Sequence, residues 1–177
     1  MGMIFVLAFF AVFTLAIGSA LLKRKLNPYG DVSYAGLPEE LRAELERVLP
    51  DFHHERARIT KRGDEARLSG KYLGEPMSVE AEFDPSGSLV EFEAEVHVSK
   101  RMSGTVAPEA LPAAASREVD RVLGPARPQF EPSRVLTGTS RGQDHFEVKG
   151  RAGDWKWEIA VSAEGHLLEV DKERRRR

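Results

Sequence analysis

The chain has 177 residues, 41% hydrophobic and 31% charged, so it can bury one or two small cores, and its formal net charge of −2 argues against a nucleic-acid binder that works through a broad basic field, leaving room only for a local basic patch. No cysteine is present, which removes disulfides, thiolate chemistry and cysteine metal sites.

Residues 3–22 contain no charged side chain, and Lys23, Arg24 and Lys25 follow at once. Twenty helical residues rise ~30 Å, the depth of a bilayer core. Basic residues directly after the apolar run favour an uncleaved single-pass anchor over a signal cleaved near Gly18-Ser19-Ala20. They also favour the cytoplasmic side for the rest of the chain, with the periplasmic or extracellular side as the alternative. Residues 23–36 carry turn formers without helical or strand period and read as a tether.

Leu37-Pro38-Glu39-Glu40 opens a helix, with proline in the first turn and two glutamates at the positive end of the dipole. Leu37, Leu41, Leu45, Val48 and Leu49 form one apolar stripe, and Pro50 stops it. Four strands follow: Phe52 to Lys61, Glu65 to Tyr72, Met77 to Phe83, and a run in which Val90, Phe92, Ala94, Val96 and Val98 face inward. Asp84-Pro85-Ser86-Gly87 is the turn before the last of them.

After a connection at 99–110 the pattern restarts. Leu111, Ala115, Val119, Val122 and Leu123 stand 74 residues after the first stripe, and Glu118 and Arg121 match Glu44 and Arg47. In the last hairpin Trp155, Trp157, Ile159 and Val161 alternate with polar or small residues, and subtracting 78 lands on Met77, Val79, Ala81 and Phe83. The same offset carries Gly165 to Gly87. The expected fold is therefore α+β: two tandem α-β-β-β-β repeats, 37–98 and 111–173, in an antiparallel sheet with both helices on one face. An N-terminal transmembrane helix (1–22) precedes them and a basic tail (174–177) follows.

The Leu-Pro helix followed by a sheet ending Trp-Lys-Trp-Glu-Ile-Ala-Val-Ser-Ala-Glu-Gly-His-Leu-Leu-Glu-Val resembles the PepSY-like family. The tandem arrangement is similar to the beta-lactamase-inhibitor-protein-like family of helix-on-four-strand repeats. The resemblance spans residues 37–172. It implies a protein found outside the cytoplasm that binds or inhibits other proteins, with no shared catalytic residues to carry over.

No catalytic residue, cofactor or metal is expected. His53 and His54, with Asp51 and Glu55, supply imidazole and carboxylate, but adjacent strand residues point to opposite faces, so one ion cannot easily take both. Ser140, Asp144 and His145 assemble a triad only on paper, without a nucleophile elbow, and a hydrolase stays the alternative to a binding module. Trp155 and Trp157 read as core, or as one rim anchor for a partner. Lys172 to Arg177 read as a solvated tail or, on the cytoplasmic side, as a contact to anionic lipid.

Alternation turns Arg56, Arg58, Arg67 and Lys71, then Glu80, Glu82, Glu91, Glu93 and Glu95, away from the core. Lys156 and Glu158, with His145, Glu147 and Lys149, join them from the second repeat. Basic residues thus gather on one side of an open sheet face and acidic ones on the other. This face is the candidate surface for a protein partner, against the plainer reading of cross-strand ion pairs on a solvated surface.

Overall fold

The computed structural model describes residues 29–97, 101–140 and 142–175. Along the chain run β1 (Tyr29–Asp31), α1 (Glu39–Val48), β2 (Phe52–Thr60), β3 (Glu65–Tyr72), β4 (Glu75–Phe83) and β5 (Leu89–Val96). Then come β6 (Arg101–Val106), α2 (Ala113–Leu123), β7 (Phe130–Ser140), β8 (Gln143–Ala152), β9 (Trp155–Ser162) and β10 (Leu167–Arg174). The strands form one antiparallel sheet in the order β1-β2-β3-β4-β5-β10-β9-β8-β7-β6.

The expectation of two α-β-β-β-β repeats behind a transmembrane helix is corrected on two points. The sheet is single and ten-stranded, because the supposed tether and connection contribute β1 and β6, which pair with β2 and β7. Without them β2 and β7 would be the edges, each with a row of unpaired backbone groups. No helix among the described residues is long and apolar enough to cross a membrane. The anchor assigned to residues 3–22 and the triplet Lys23 to Lys25 lie outside the described residues.

The strand order reads symmetrically from its two ends, and the centre of that symmetry is the β5/β10 pair. There Glu93 faces Asp171, the residue 78 positions later, while Glu91 faces Glu173 and Glu95 faces Glu169. An approximate two-fold axis therefore passes between Glu93 and Asp171. Local details repeat about it. β2 bulges between His54 and Arg56 and β7 between Pro132 and Arg134, each opposite a glycine. A Cβ on Gly70 would lie 2.3 Å from the His53 carbonyl, and one on Gly150 would lie 2.4 Å from the Phe130 ring, so no larger residue fits either site.

The sheet curls. Val96 ends β5 and Arg101 begins β6, five residues on, a reach of at most ~18 Å. Along the sheet those strands are five intervals apart, ~24 Å. A flat sheet cannot meet both distances. The curl is toward the side without helices, because His145, Ala160 and Ser162, which alternation puts there, are buried.

On the other side both helices join one core. Leu41, Leu45 and Val48 of α1 and Ala115, Val119, Val122 and Leu123 of α2 pack with Phe92, Ala94, Ile159 and Val170 of the sheet. The helix C-termini meet and exchange arginines. Arg47, held by Glu44 at 2.6 Å, donates to the Val122 carbonyl. Arg121, held by Glu118 at 2.6 Å, donates to the carbonyls of Arg47 (3.1 Å) and Val48 (2.9 Å). Each helix thus caps the other's orphan carbonyls with a cation at the negative end of the dipole. This explains the matched Glu/Arg spacing in the two halves.

Lys172, expected in a solvated tail, is only 7% exposed. Its Nζ lies 2.7 Å from Glu44 Oε1 and over the rings of Trp155 (4.8 Å), Trp157 (5.5 Å) and Phe92 (5.9 Å). Burial holds its pKa down, against the pull of Glu44. Trp157 is buried and Trp155 half-buried against the core, so the tryptophans serve packing and this cation.

Candidate protein-binding face

Cross-strand register arranges the helix-free face in rows. The central row runs Arg58, Arg67, Glu80, Glu93, Asp171, Glu158, Lys149, Arg134, each directly opposite the next. Two cations, four carboxylates and two cations follow one another, symmetric about the two-fold axis. A neighbouring row runs Glu65, Glu82, Glu91, Glu173, Lys156, and on the other side Glu95 meets Glu169. The four middle strands therefore concentrate Glu80, Glu82, Glu91, Glu93, Glu95, Glu158, Glu169, Asp171 and Glu173 on one surface. The expected split into a basic and an acidic side is instead a basic–acidic–basic band.

The flanking cations of β2, β3, β8 and β9 are paired. Arg56 and Arg58 hold Asp31 at 2.9 and 3.2 Å, and Arg67 holds Glu65 at 2.7 Å and Glu80 at 3.4 Å. Lys149 holds Glu147 and Glu158, both at 2.5 Å, and Lys156 holds Glu158 at 2.7 Å. The plainer reading of cross-strand ion pairs thus describes the flanks. Lys71, opposite Pro76 and His53, stands outside the band.

The centre differs. Burial, then the charges of Asp171, Glu169, Glu95 and Glu80, push the Glu93 carboxyl above its usual range. Burial, then Glu158, pushes Asp171 up, with Lys156 pulling the other way. For Glu158 burial also pushes up, but the hydrogen bonds from Lys149 and Lys156 prevail and hold it below. Alternation revealed the β4, β5 and β9 members of this cluster. Glu169, Asp171 and Glu173 were missed because only the pairing of β10 with β5 brings them in, and that contact is not local in sequence.

Of the other candidates, the His54 ring stacks on Tyr34 at 4.9 Å. No group of His, Cys, Asp and Glu among the described residues could hold a metal ion. Ser140 pairs with Gln143, and Thr139 with Asp144, in the β7/β8 ladder. His145 Nε2 lies 3.2 Å from Met102 Sδ, reached across Gly138, and Ser162 Oγ accepts from the His166 backbone N–H at 3.2 Å.

The fold is thus a curled antiparallel sheet with helices on its convex side and a charged, helix-free concavity. No family model matches the chain, and no curated protein matches it. Among solved structures it is similar to a BLIP-like protein from Bacteroides fragilis, at 15% identity over 78% of this chain and 88% of that one, with a TM-score of 0.31. A DUF2874 family protein from Bacteroides uniformis matches at 12% identity over 76% and 88%, with a TM-score of 0.32. A protein from Bacteroides eggerthii, provisionally described as periplasmic, matches at 12% over 76% and 88%, with a TM-score of 0.33. One of these three is described as BLIP-like, and none as PepSY-like.

Proposed function

We propose that the protein is a non-catalytic binding module that takes a protein partner with a basic surface on the concave face of its sheet. The observation that supports this reading is the opposition of Glu93 and Asp171 at the centre of the band. Like charges directly opposite on a sheet oppose folding, and both carboxyls are pushed toward protonation. Folding gains nothing from them, whereas a cationic partner would relieve the repulsion and be steered in by the field.

Site-specific photo-crosslinking tests the reading. A benzophenone side chain at Ser78, on the concave face beside Glu95, is compared with one at Asp120, exposed on α2. In cells of the source organism Ser78 should give a discrete adduct that Asp120 does not. The double variant Glu91→Lys/Glu93→Lys should lose it, and added salt should weaken capture. Equal labelling from both positions, or an adduct indifferent to charge reversal, overturns the proposal.

A further inference from the structure

On one basic flank of the band a hollow of about 270 Å³ opens between β2, β3 and β4, lined by Arg56, Arg58, Arg67, Ser69, Ser78 and Glu80 among others. Pockets that enclose a whole small ligand run from ~300 to ~1,000 Å³, so this one takes a head group and leaves the rest of a ligand outside. Ser69 stands directly opposite Ser78 across the β3/β4 ladder. At the corresponding place in the second half, Arg151 stands opposite Lys156. Two short hydroxyl side chains thus leave room where the other half carries two long cationic ones.

The arginines already hold one oxyanion. Arg56 donates through Nε to Asp31 Oδ1 at 2.9 Å and through Nη2 to Oδ2 at 3.2 Å, the two-pronged geometry that a guanidinium offers to carboxylate and phosphate alike. Arg58 Nε adds a third bond to Oδ1 at 3.2 Å. The hydrogen bond from Arg56 leads the causes that hold the Asp31 carboxyl below its usual range. Arg67, carried over the Tyr29 ring at 5.0 Å, reaches the same hollow from β3. Asp31 is easily displaced, because its side chain is 66% exposed and so open an ion pair holds weakly against water. Its backbone pairs with β2 independently of that side chain, so the carboxylate can swing aside while β1 stays in place.

We propose that Arg56, Arg58 and Arg67, with the hydroxyls of Ser69 and Ser78, bind the phosphate group of a small soluble phosphate monoester, which displaces the carboxylate of Asp31. A carboxylate offers two oxygens in one plane, and Arg56 and Arg58 already take both. A phosphate monoester offers three in a tetrahedral array, enough to accept from guanidiniums on β2 and β3 and from hydroxyls on β3 and β4. Its larger charge at neutral pH also outcompetes a single carboxylate. Glu80, 3.4 Å from Arg67, closes the hollow toward the acidic centre and keeps the anion on the flank. The site does not depend on a protein partner at the centre of the band.

NMR titration of the full chain with glycerol 1-phosphate tests it, with acetate at equal ionic strength as the carboxylate probe. The phosphate should shift the guanidinium Nε–H signals of Arg56, Arg58 and Arg67 and the Ser78 amide to saturation, and leave those of Arg47 and Arg121 in place. Asp31→Asn removes the competing carboxylate and should tighten binding by about tenfold. Asp120→Asn, which removes an exposed carboxylate paired with Arg127 on the other side of the sheet, should leave binding nearly unchanged. Ser78→Val fills the hollow and removes a hydroxyl, and should weaken binding by about tenfold at an unchanged unfolding midpoint. Absence of saturable shifts at the three arginines, equal binding of acetate, or an affinity indifferent to Asp31→Asn or to Ser78→Val overturns the proposal. Binding to phosphatidic acid vesicles with none to the soluble monoester overturns it as well.

Discussion

The two sides of the β5/β10 pair are built from alternate residues of the same strands, yet they treat charge in opposite ways. Toward the helices, Lys172 is enclosed but meets Glu44 and three aromatic rings, and Arg47 and Arg121 are spent on helix carbonyls. Toward the concavity, Glu91, Glu93 and Glu95 stand against Glu173, Asp171 and Glu169, while the cations of the central row are held two or more strands from the axis. The helix side answers each buried charge; the concave side lets like charges accumulate. Opposite charges meet on one surface of the pair, and like charges face one another on the other.

Four single substitutions and one double replacement sharpen this contrast. The largest effect is expected on the helix side: Glu44→Ala leaves Lys172 buried without its carboxylate and should destabilise by about 3–5 kcal/mol in urea unfolding. Replacing both members, Glu44→Leu with Lys172→Met, should recover most of that loss; if it does not, the cost lies in packing rather than charge. Next, Arg121→Ala removes the donors to the Arg47 and Val48 carbonyls and should cost about 1–3 kcal/mol, toward the lower end because the side chain is 35% exposed.

The smallest effect has the opposite sign. Glu93→Gln relieves the central repulsion and should stabilise by about 0.2–1 kcal/mol at neutral pH. Because the folded-state pKa of Glu93 is raised, protonation favours the native protein. Its favourable contribution is full below the ordinary carboxylate range and is lost as pH rises through the folded value. Wild type and variant should therefore converge in acid. Glu158, whose pKa is lowered, behaves inversely: Glu158→Gln should destabilise at neutral pH, and that difference should fade as pH falls through the folded value. Matching pH profiles for the two variants would break the distinction between centre and flank.

Much of this was legible in the sequence because it is local. The stripe Leu41, Leu45, Val48 placed α1, and the alternation through Trp157, Ile159 and Val161 placed β9, since helix and strand periods follow from which side must be dry. β1 and β6 were not legible: three residues, Tyr29–Asp31, carry no period, and Met102-Ser103-Gly104-Thr105 resembles a connection. They become strands because neighbouring edges offer them hydrogen bonds. The burial of Lys172 was equally hidden, since a lysine shortly before a run of arginines looks solvated until α1 brings Glu44 over it.

The sequence by itself determined the alternation along β4, β5 and β9, and so the share of the concave face made of Glu80, Glu82, Glu91, Glu93, Glu95 and Glu158. Only the tertiary structure decided how that content is arranged. The meeting of β5 with β10 sets Glu93 against Asp171 and closes the acidic band between two basic flanks. Alternation within a strand is a property of the chain, whereas register between distant strands is settled by the packing of the whole sheet under its helices.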